Sequence, residues 1–257
     1  MAEVLRTSGL TRHFGALAAV DDVSMEVCKG EILSIIGPNG AGKTTLFNLI
    51  TGFVAPTRGE VWVKGERVTG KRPDEIAERG VIRTFQETET FAGVPVLDGI
   101  VMGFHRVSKP RIGAILLGLE SNRREEDAIR ARAVQLLRSV GIEDKRDMVA
   151  RDLTYGQQKL VAIAVAMAAG PELLLLDEPT AGLNARESWD MVEVIQGIQE
   201  SGVTVGLVEH DMNVVMGISD RIIVLDAGCV IAIGEPDQIQ KNEQVIEAYL
   251  GKEYASA

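Results

Sequence analysis

The stretch Gly37-Pro38-Asn39-Gly40-Ala41-Gly42-Lys43-Thr44-Thr45 constrains what this chain can fold into more than any other. Glycine at 37 and 42, followed by lysine and threonine, is the spacing of a phosphate-binding loop. Residues 31–36, Glu-Ile-Leu-Ser-Ile-Ile, read as a buried strand, and residues 45–50, Thr-Leu-Phe-Asn-Leu-Ile, read as the start of a helix. That context is what the chemistry requires. Glycines let backbone N–H groups turn inward around a β-phosphate, and the positive end of the helix dipole adds to the attraction. Lys43 would then reach the β- and γ-phosphates, and the Thr44 hydroxyl would ligate Mg2+. A chance glycine turn is the competing reading in a chain with 27 glycines, and the strand–loop–helix context argues against it.

Composition narrows the classes. The 257 residues suffice for one large core, or for one domain carrying a subdomain. A net charge of −10 argues against a surface built for nucleic acid. The short basic clusters at 64–72 and 106–111 read as solvated loops. Cys28 and Cys229 have no metal or disulfide spacing, which fits a reducing cytosol, and both are expected to be small core hydrophobes. The N-terminus lacks the basic start and apolar run of a secretory signal. The longest apolar run, 160–169, is far shorter than the ~20 residues of a bilayer span. The expectation is a soluble chain whose membrane role, if any, runs through a partner.

Along the chain, short β-like runs occupy 4–8, 20–28, 32–36 and 60–63, with a helix signal at 73–79. From about 87 to 170 the character is mostly helical, and Ile129, Ala133, Leu136, Leu137 and Val140 recur at helical spacing. Strand and helix patterns then alternate: 173–176, a helix over 187–200, 203–208 and 222–225. Such alternation predicts an α/β fold around a mainly parallel sheet, interrupted by a helical insertion. Residues 252–257 are expected to fray.

A second constellation follows the insertion. Leu173 to Leu176 form an apolar strand that ends in Asp177 and Glu178, and sheets of this kind bind ligands at strand carboxyl ends. Asp177 would hold Mg2+, directly or through water, and Glu178 would polarise an attacking water. A strand followed by an acidic helix cap is the bland alternative. Thr154 and Gly156, in Leu153-Thr154-Tyr155-Gly156-Gln157, stand where an apolar helix begins and could bind an anion; Thr-x-x-Gln is also an ordinary capping box. Gln86 and His210 each follow a strand-like run, and alone either reads as a structural polar residue. His13 and His105 receive only that reading, and three scattered histidines make no metal site.

Taken in order, these residues resemble the ATP-binding subunit of ABC transporters. Residues 37–45 match its Walker A motif, Gln86 the Q-loop, 153–157 the signature, 173–178 Walker B, 181–184 the D-loop and His210 the switch histidine. The resemblance runs from about residue 4 to residue 251. It implies a P-loop NTPase (RecA-like) core with an N-terminal antiparallel β subdomain and a helical subdomain at approximately 87–170 that contains the signature, the whole chain forming a single ABC ATPase domain. Thr84-Phe85-Gln86, Tyr155-Gly156-Gln157-Gln158, Ala181-Gly182-Leu183-Asn184, the run from Val208 to Met212, Ser219-Asp220-Arg221-Ile222 and the tail from Val245 to Gly251 are similar to the LivG type. That type energises uptake of branched-chain or other hydrophobic amino acids.

The resemblance also implies roles. ATP would be held by Gly37, Pro38, Asn39, Gly40, Ala41, Gly42, Lys43, Thr44 and Thr45. Across a head-to-tail homodimer, or a heterodimer with a related ATPase subunit, Thr154, Gly156 and Gln157 would come from the opposite protomer. Mg2+ would be held by Thr44, Gln86 and Asp177, and turnover would involve Glu178, His210, Gln86 and Lys43. Phe14, 23 residues before Gly37, stands where the family has an aromatic that stacks on adenine; a buried core Phe is the other reading. Residues 87–101, with Phe91, Val94, Val96 and Leu97, would either dock a permease's cytoplasmic helix or belong to the subdomain core. Integral membrane permease subunits and, indirectly, a periplasmic or extracellular solute-binding protein would be the partners, with no nucleic acid. The site of action would be the cytoplasmic face of the inner or plasma membrane. The signature departs from Leu-Ser-Gly-Gly-Gln at Thr154 and Tyr155, Gln158-Lys159 lacks the usual arginine pattern, and Asn184 replaces the common D-loop aspartate. A soluble cassette ATPase unconnected with transport, and a nucleotide-regulated module without turnover, are the rivals.

Overall fold

The computed structural model describes residues 2–84, 93–104 and 120–254. Along the chain run β1 (Glu3–Phe14), β2 (Leu17–Cys28), β3 (Ile32–Ile36), α1 (Lys43–Ile50), β4 (Arg58–Val63), β5 (Glu66–Arg67), α2 (Pro73–Ala77) and β6 (Val81–Arg83). Then come α3 (Val96–Gly103), α4 (Glu120–Ser139), α5 (Tyr155–Ala168), β7 (Leu173–Asp177) and α6 (Ala185–Glu200). The C-terminal part holds β8 (Thr204–Val208), α7 (Met212–Ile218), β9 (Arg221–Asp226), β10 (Cys229–Gly234), α8 (Pro236–Gln240) and α9 (Glu243–Tyr254). Two compact units result. The first comprises Met1–Arg83, Glu172–Ala181 and Ile195–Ala257, and the second Thr84–Pro171 and Gly182–Val194.

The first unit contains both sheets. One has the order β2-β1-β4-β5 and is antiparallel. In β2 the residues Val23, Met25 and Val27 are buried while Ser24 and Glu26 are exposed, so the period of two gives this sheet one dry face. The other sheet has the order β10-β9-β3-β8-β7-β6; its strands pair in parallel except for β10, which pairs antiparallel with β9. Here β3, β7 and β8 are buried at every position, the mark of strands covered on both faces. Alternation sorts the faces: Leu33, Ile35, Ile223 and Leu225 pack with α1 and the antiparallel sheet, whereas Ile36, Ile222 and Val224 pack with Val215, Ile239 and Val245. The expected α/β class, with a mainly parallel core sheet and an antiparallel N-terminal sheet, is what the molecule adopts.

Several boundaries differ from expectation. β1 runs to Phe14 rather than stopping near residue 8, because its register shifts repeatedly against β2 and β4 and the apolar alternation is lost while the pairing continues. β10, α8 and α9 were not foreseen; β10 lies at a sheet edge, half-exposed throughout, and carries no alternating signal. Cys229, expected in the core, is exposed at the start of β10, and Cys28 is half-buried.

In the second unit, α3, α4 and α5 pack on one another. Ala133 and Leu137 form the buried stripe of α4, as their spacing predicts, with Ile129 and Leu136 half-buried beside them and Val140 buried just past the helix end. Residues 94–97 are pinned to 146–150 by backbone bonds: Val96 N–H donates to Met148 O at 2.9 Å, Leu97 N–H to Arg146 O at 3.0 Å, and Ala150 N–H to Val94 O at 3.2 Å. Val96 is 1% exposed, so it belongs to the core of this unit rather than to an open groove. Val94 and Leu97 are half-buried, and Phe91 lies outside the described residues. Among the described residues, no helix is long and apolar enough to cross a membrane.

Candidate nucleotide-binding site

The phosphate-binding loop joins the carboxyl end of β3 to α1 in the first unit. Two of its glycines are sterically required. A Cβ at Gly37 would lie 2.1 Å from the Leu225 carbonyl oxygen, and one at Gly42 would lie 2.2 Å from that of Ala19. Gly42 caps α1 with φ 100°, and no described side chain caps the first turn, whose N–H groups are left for an anion. The β9–β10 turn braces the loop through Gly228 N–H, which donates to Ala41 O at 3.1 Å. Asn39, Gly40 and Thr44 are exposed, Pro38 and Thr45 half-buried. The Lys43 ammonium is folded back on its own loop and donates to Gly37 O at 2.7 Å and Pro38 O at 3.2 Å. Burial pushes this ammonium below the ordinary lysine range, while the charges of Glu178 and Asp177 oppose the shift.

Asp177 ends β7 in the same unit. Its Oδ2 accepts from Arg83 Nη2 at 2.7 Å, and both side chains are almost wholly buried. Asp177 Oδ1 is buried too and has no hydrogen-bond partner among the described residues. An orphaned carboxylate oxygen of this kind, together with the exposed Thr44 hydroxyl, suits the hard oxygen-ligand chemistry of Mg2+. Glu178 follows in a left-handed backbone conformation, φ 49°, and its N–H donates to Val208 O at 2.8 Å. Such a conformation is costly for a non-glycine residue; Asp22, Lys64 and Ala227 also adopt it. The His210 side chain is 60% exposed. Its backbone is set by Glu209, whose fully buried carboxylate accepts from the Thr180 N–H (2.8 Å) and hydroxyl and from the His210 N–H (2.9 Å).

Phe14, at the end of β1, is 47% exposed, with the Arg12 guanidinium 4.6 Å from its ring centroid. The core alternative for Phe14 is thereby overturned. Gln86 and His105 lie outside the described residues.

The signature residues belong to the second unit. Thr154 caps α5 in a reciprocal box: its hydroxyl accepts from Gln157 N–H at 3.3 Å, and Gln157 Oε1 accepts from Thr154 N–H at 3.1 Å. The capping reading is therefore realised, and Thr154 and Gln157, with Gly156, Leu183 and Glu187, line a cavity of about 310 Å3. Tyr155 is half-exposed and leans on the D-loop, so that a Cβ at Gly182 would stand 3.0 Å from its ring. Asn184 supplies the cap of α6: its Oδ1 accepts from Arg186 N–H at 3.0 Å and Glu187 N–H at 3.1 Å. An amide performs this task as well as a carboxylate, which accounts for the departure at that position.

Four participants carried no signal of their own. Arg83 lies in the apparent β-run before Gln86, Asn48 in the apolar helix after the loop, and Glu209 beside the more conspicuous histidine. Tyr249 of α9 packs beside Ile36, Val215 and Ile239, and the Gly37 backbone faces its hydroxyl. Burial raises the Tyr249 phenol above its ordinary value, and the Gly37 backbone opposes this. Pairing across distant segments was the missing information.

A strand–loop–helix phosphate site on a mainly parallel sheet, with an acidic residue ending the buried strand one place beyond β8, defines a P-loop nucleotide-binding protein. Comparison with known proteins is more specific. The ABC transporter family model matches residues 20–181, and that of the branched-chain amino acid ATP-binding cassette transporter matches residues 229–255. The chain belongs to the ABC transporter family. It is 41% identical over 250 residues to the high-affinity branched-chain amino acid transport ATP-binding protein LivG of Escherichia coli K12, covering 97% of this chain and 98% of that protein. To the corresponding BraF protein of Pseudomonas aeruginosa it is 42% identical, with the same coverage. Among solved structures, the ADP conformation of an ATP-binding cassette of an ABC transporter superposes with a TM-score of 0.85 at 31% identity, covering 98% of this chain and 100% of that one. A dimeric ATP-binding cassette in a post-hydrolysis state, bound to ADP and Pi, gives a TM-score of 0.76 at 26% identity, covering 90% of this chain and 98% of that one. Family membership sets aside the rival of a cassette unconnected with transport.

Proposed function

We propose that this chain is the ATP-hydrolysing subunit of a membrane importer for branched-chain or other hydrophobic amino acids, bound to its permease at the cytoplasmic face of the inner or plasma membrane. The observation that carries the hydrolytic part is local. The phosphate-binding loop with Lys43 follows the carboxyl end of β3, and Asp177 and Glu178 stand at the carboxyl end of β7 in the same parallel sheet, so the groups proposed for phosphate and for metal share one sheet end. The transported class comes from the names of the relatives.

In this reading the uncapped N–H groups of α1 and the loop take the β-phosphate, and Lys43 leaves the Gly37 and Pro38 carbonyls for β- and γ-oxygens. Thr44, Asp177 Oδ1 and Gln86 would hold Mg2+, which when bound neutralises charge between the β- and γ-phosphates. Glu178 accepts a hydrogen bond from the attacking water and aligns it, and the exposed His210 imidazole donates to the γ-phosphate. The ring of Phe14 stacks on adenine. Thr154, Gly156 and Gln157 act on the nucleotide of a second cassette, identical or related, so two ATP molecules join the pair and hydrolysis releases it. Residues 87–170 serve as the helical subdomain that receives the permease, which an external solute-binding protein supplies.

The test is steady-state phosphate release by the chain reconstituted with its permease in vesicles. Turnover that rises when binding protein delivers leucine, isoleucine or valine is expected. Tight MgATP binding without turnover would instead make the chain a nucleotide-regulated module.

A further inference from the structure

We infer that Arg83 is a positioning residue for the metal-bearing carboxylate of the nucleotide site, and that it acts by fixing which oxygen of Asp177 faces the metal. The inference rests on the proposed role of Asp177. Its ground is a buried fork. Arg83 Nη2 donates to Asp177 Oδ2 at 2.7 Å and Nη1 donates to Asn48 Oδ1 at 2.6 Å, with the guanidinium carbon 5.6 Å from the Phe47 ring centroid. The side chains of Arg83 and Asp177 are 7% and 2% exposed. One planar cation thus ties the end of β7 to the helix that begins with Lys43 and Thr44, and occupies Oδ2 while Oδ1 stays without a hydrogen-bond partner among the described residues.

This geometry is more than charge neutralisation. A lysine at 83 would balance Asp177 but present one point donor in place of the two-pronged plane that engages β7 and α1 together. With the fork in place, the carboxylate cannot rotate to exchange its oxygens without breaking a buried, charge-assisted bond. Partners that orient a ligating carboxylate commonly matter tenfold to a hundredfold for metal affinity or activity.

The experiment measures the affinity of the full chain for a fluorescent ATP analogue with excess Mg2+ and again with EDTA, and takes the ratio as the metal-dependent enhancement. Arg83→Lys and Arg83→Gln are expected to lose about tenfold or more of that enhancement, with EDTA affinity unchanged. Asn48→Ala, which frees one prong and leaves the ion pair whole, is expected to lose a smaller part. Should Arg83→Gln fail to fold in a thermal melt, Arg83→Lys and Asn48→Ala decide, since neither leaves Asp177 without a cation. Asp177→Asn is run beside them. If it leaves the enhancement intact, the assignment of Asp177 to the metal falls. If it abolishes the enhancement while the Arg83 and Asn48 variants keep theirs in full, or bind metal more tightly, the positioning role of Arg83 is overturned.

Discussion

At the scale of single residues, the chemistry concentrates on side chains held in unusual surroundings. Lys43 is buried against its own loop carbonyls, which in the proposed function it exchanges for phosphate oxygens. Lys43→Ala is expected to weaken MgATP binding about 30-fold, or ~2 kcal/mol, with the fold unchanged; unaltered affinity in a calorimetric titration would contradict its role. Glu178 is held at φ 49° directly after the buried strand β7. Glu178→Gln should still bind ATP while turnover falls by about a hundredfold or more, measured as phosphate release under saturating MgATP. Both residues were legible in the sequence, because glycine spacing and an apolar run ending in two acids are local patterns. Arg83 and Glu209 were not. Each works through a partner tens of residues away, Asp177 and Thr180, and no local periodicity announces such a pair.

At the scale of elements, Glu209 is the joint between the strand ends. Its carboxylate gathers the backbone of Thr180, His210 and Asp211, so the segment after β7 and the segment after β8 are held by one side chain. Glu209→Ala leaves buried N–H groups unpaired and is expected to cost about 2–4 kcal/mol. It should also lower kcat more than it raises KM for ATP, because His210 loses its anchor. A melt and a steady-state assay on one preparation read both. In the helical unit, Val96→Asp places a charge in a dry core and should prevent stable folding. The exposed Met148 is different: Met148→Asp should leave the melt near wild type, within about 0.5 kcal/mol. Strand and helix alternation foretold β3, β7, β8 and the buried stripe of α4 because a covered strand and a one-sided helix must be apolar in those patterns. The half-exposed β10 and the extension of β1 lay beyond that logic, since hydrogen bonding to a neighbour rather than hydrophobic pattern creates them.

At the scale of the whole molecule, the two sheets of the first unit present the phosphate-binding loop, the aromatic at the end of β1 and the acids at the end of β7, while the second unit carries the signature and D-loop residues Gly182 to Asn184. The proposal divides the labour accordingly, with each nucleotide read by the first unit of one chain and by the second unit of another. The most direct measurement is the mass of the Glu178→Gln chain by light scattering, with EDTA and then with saturating MgATP. The account predicts a monomer that becomes a dimer only when MgATP is present, and a return to monomer when the signature is disabled by Gly156→Asp. A chain that remains monomeric with MgATP bound, alone and beside its permease, would contradict it.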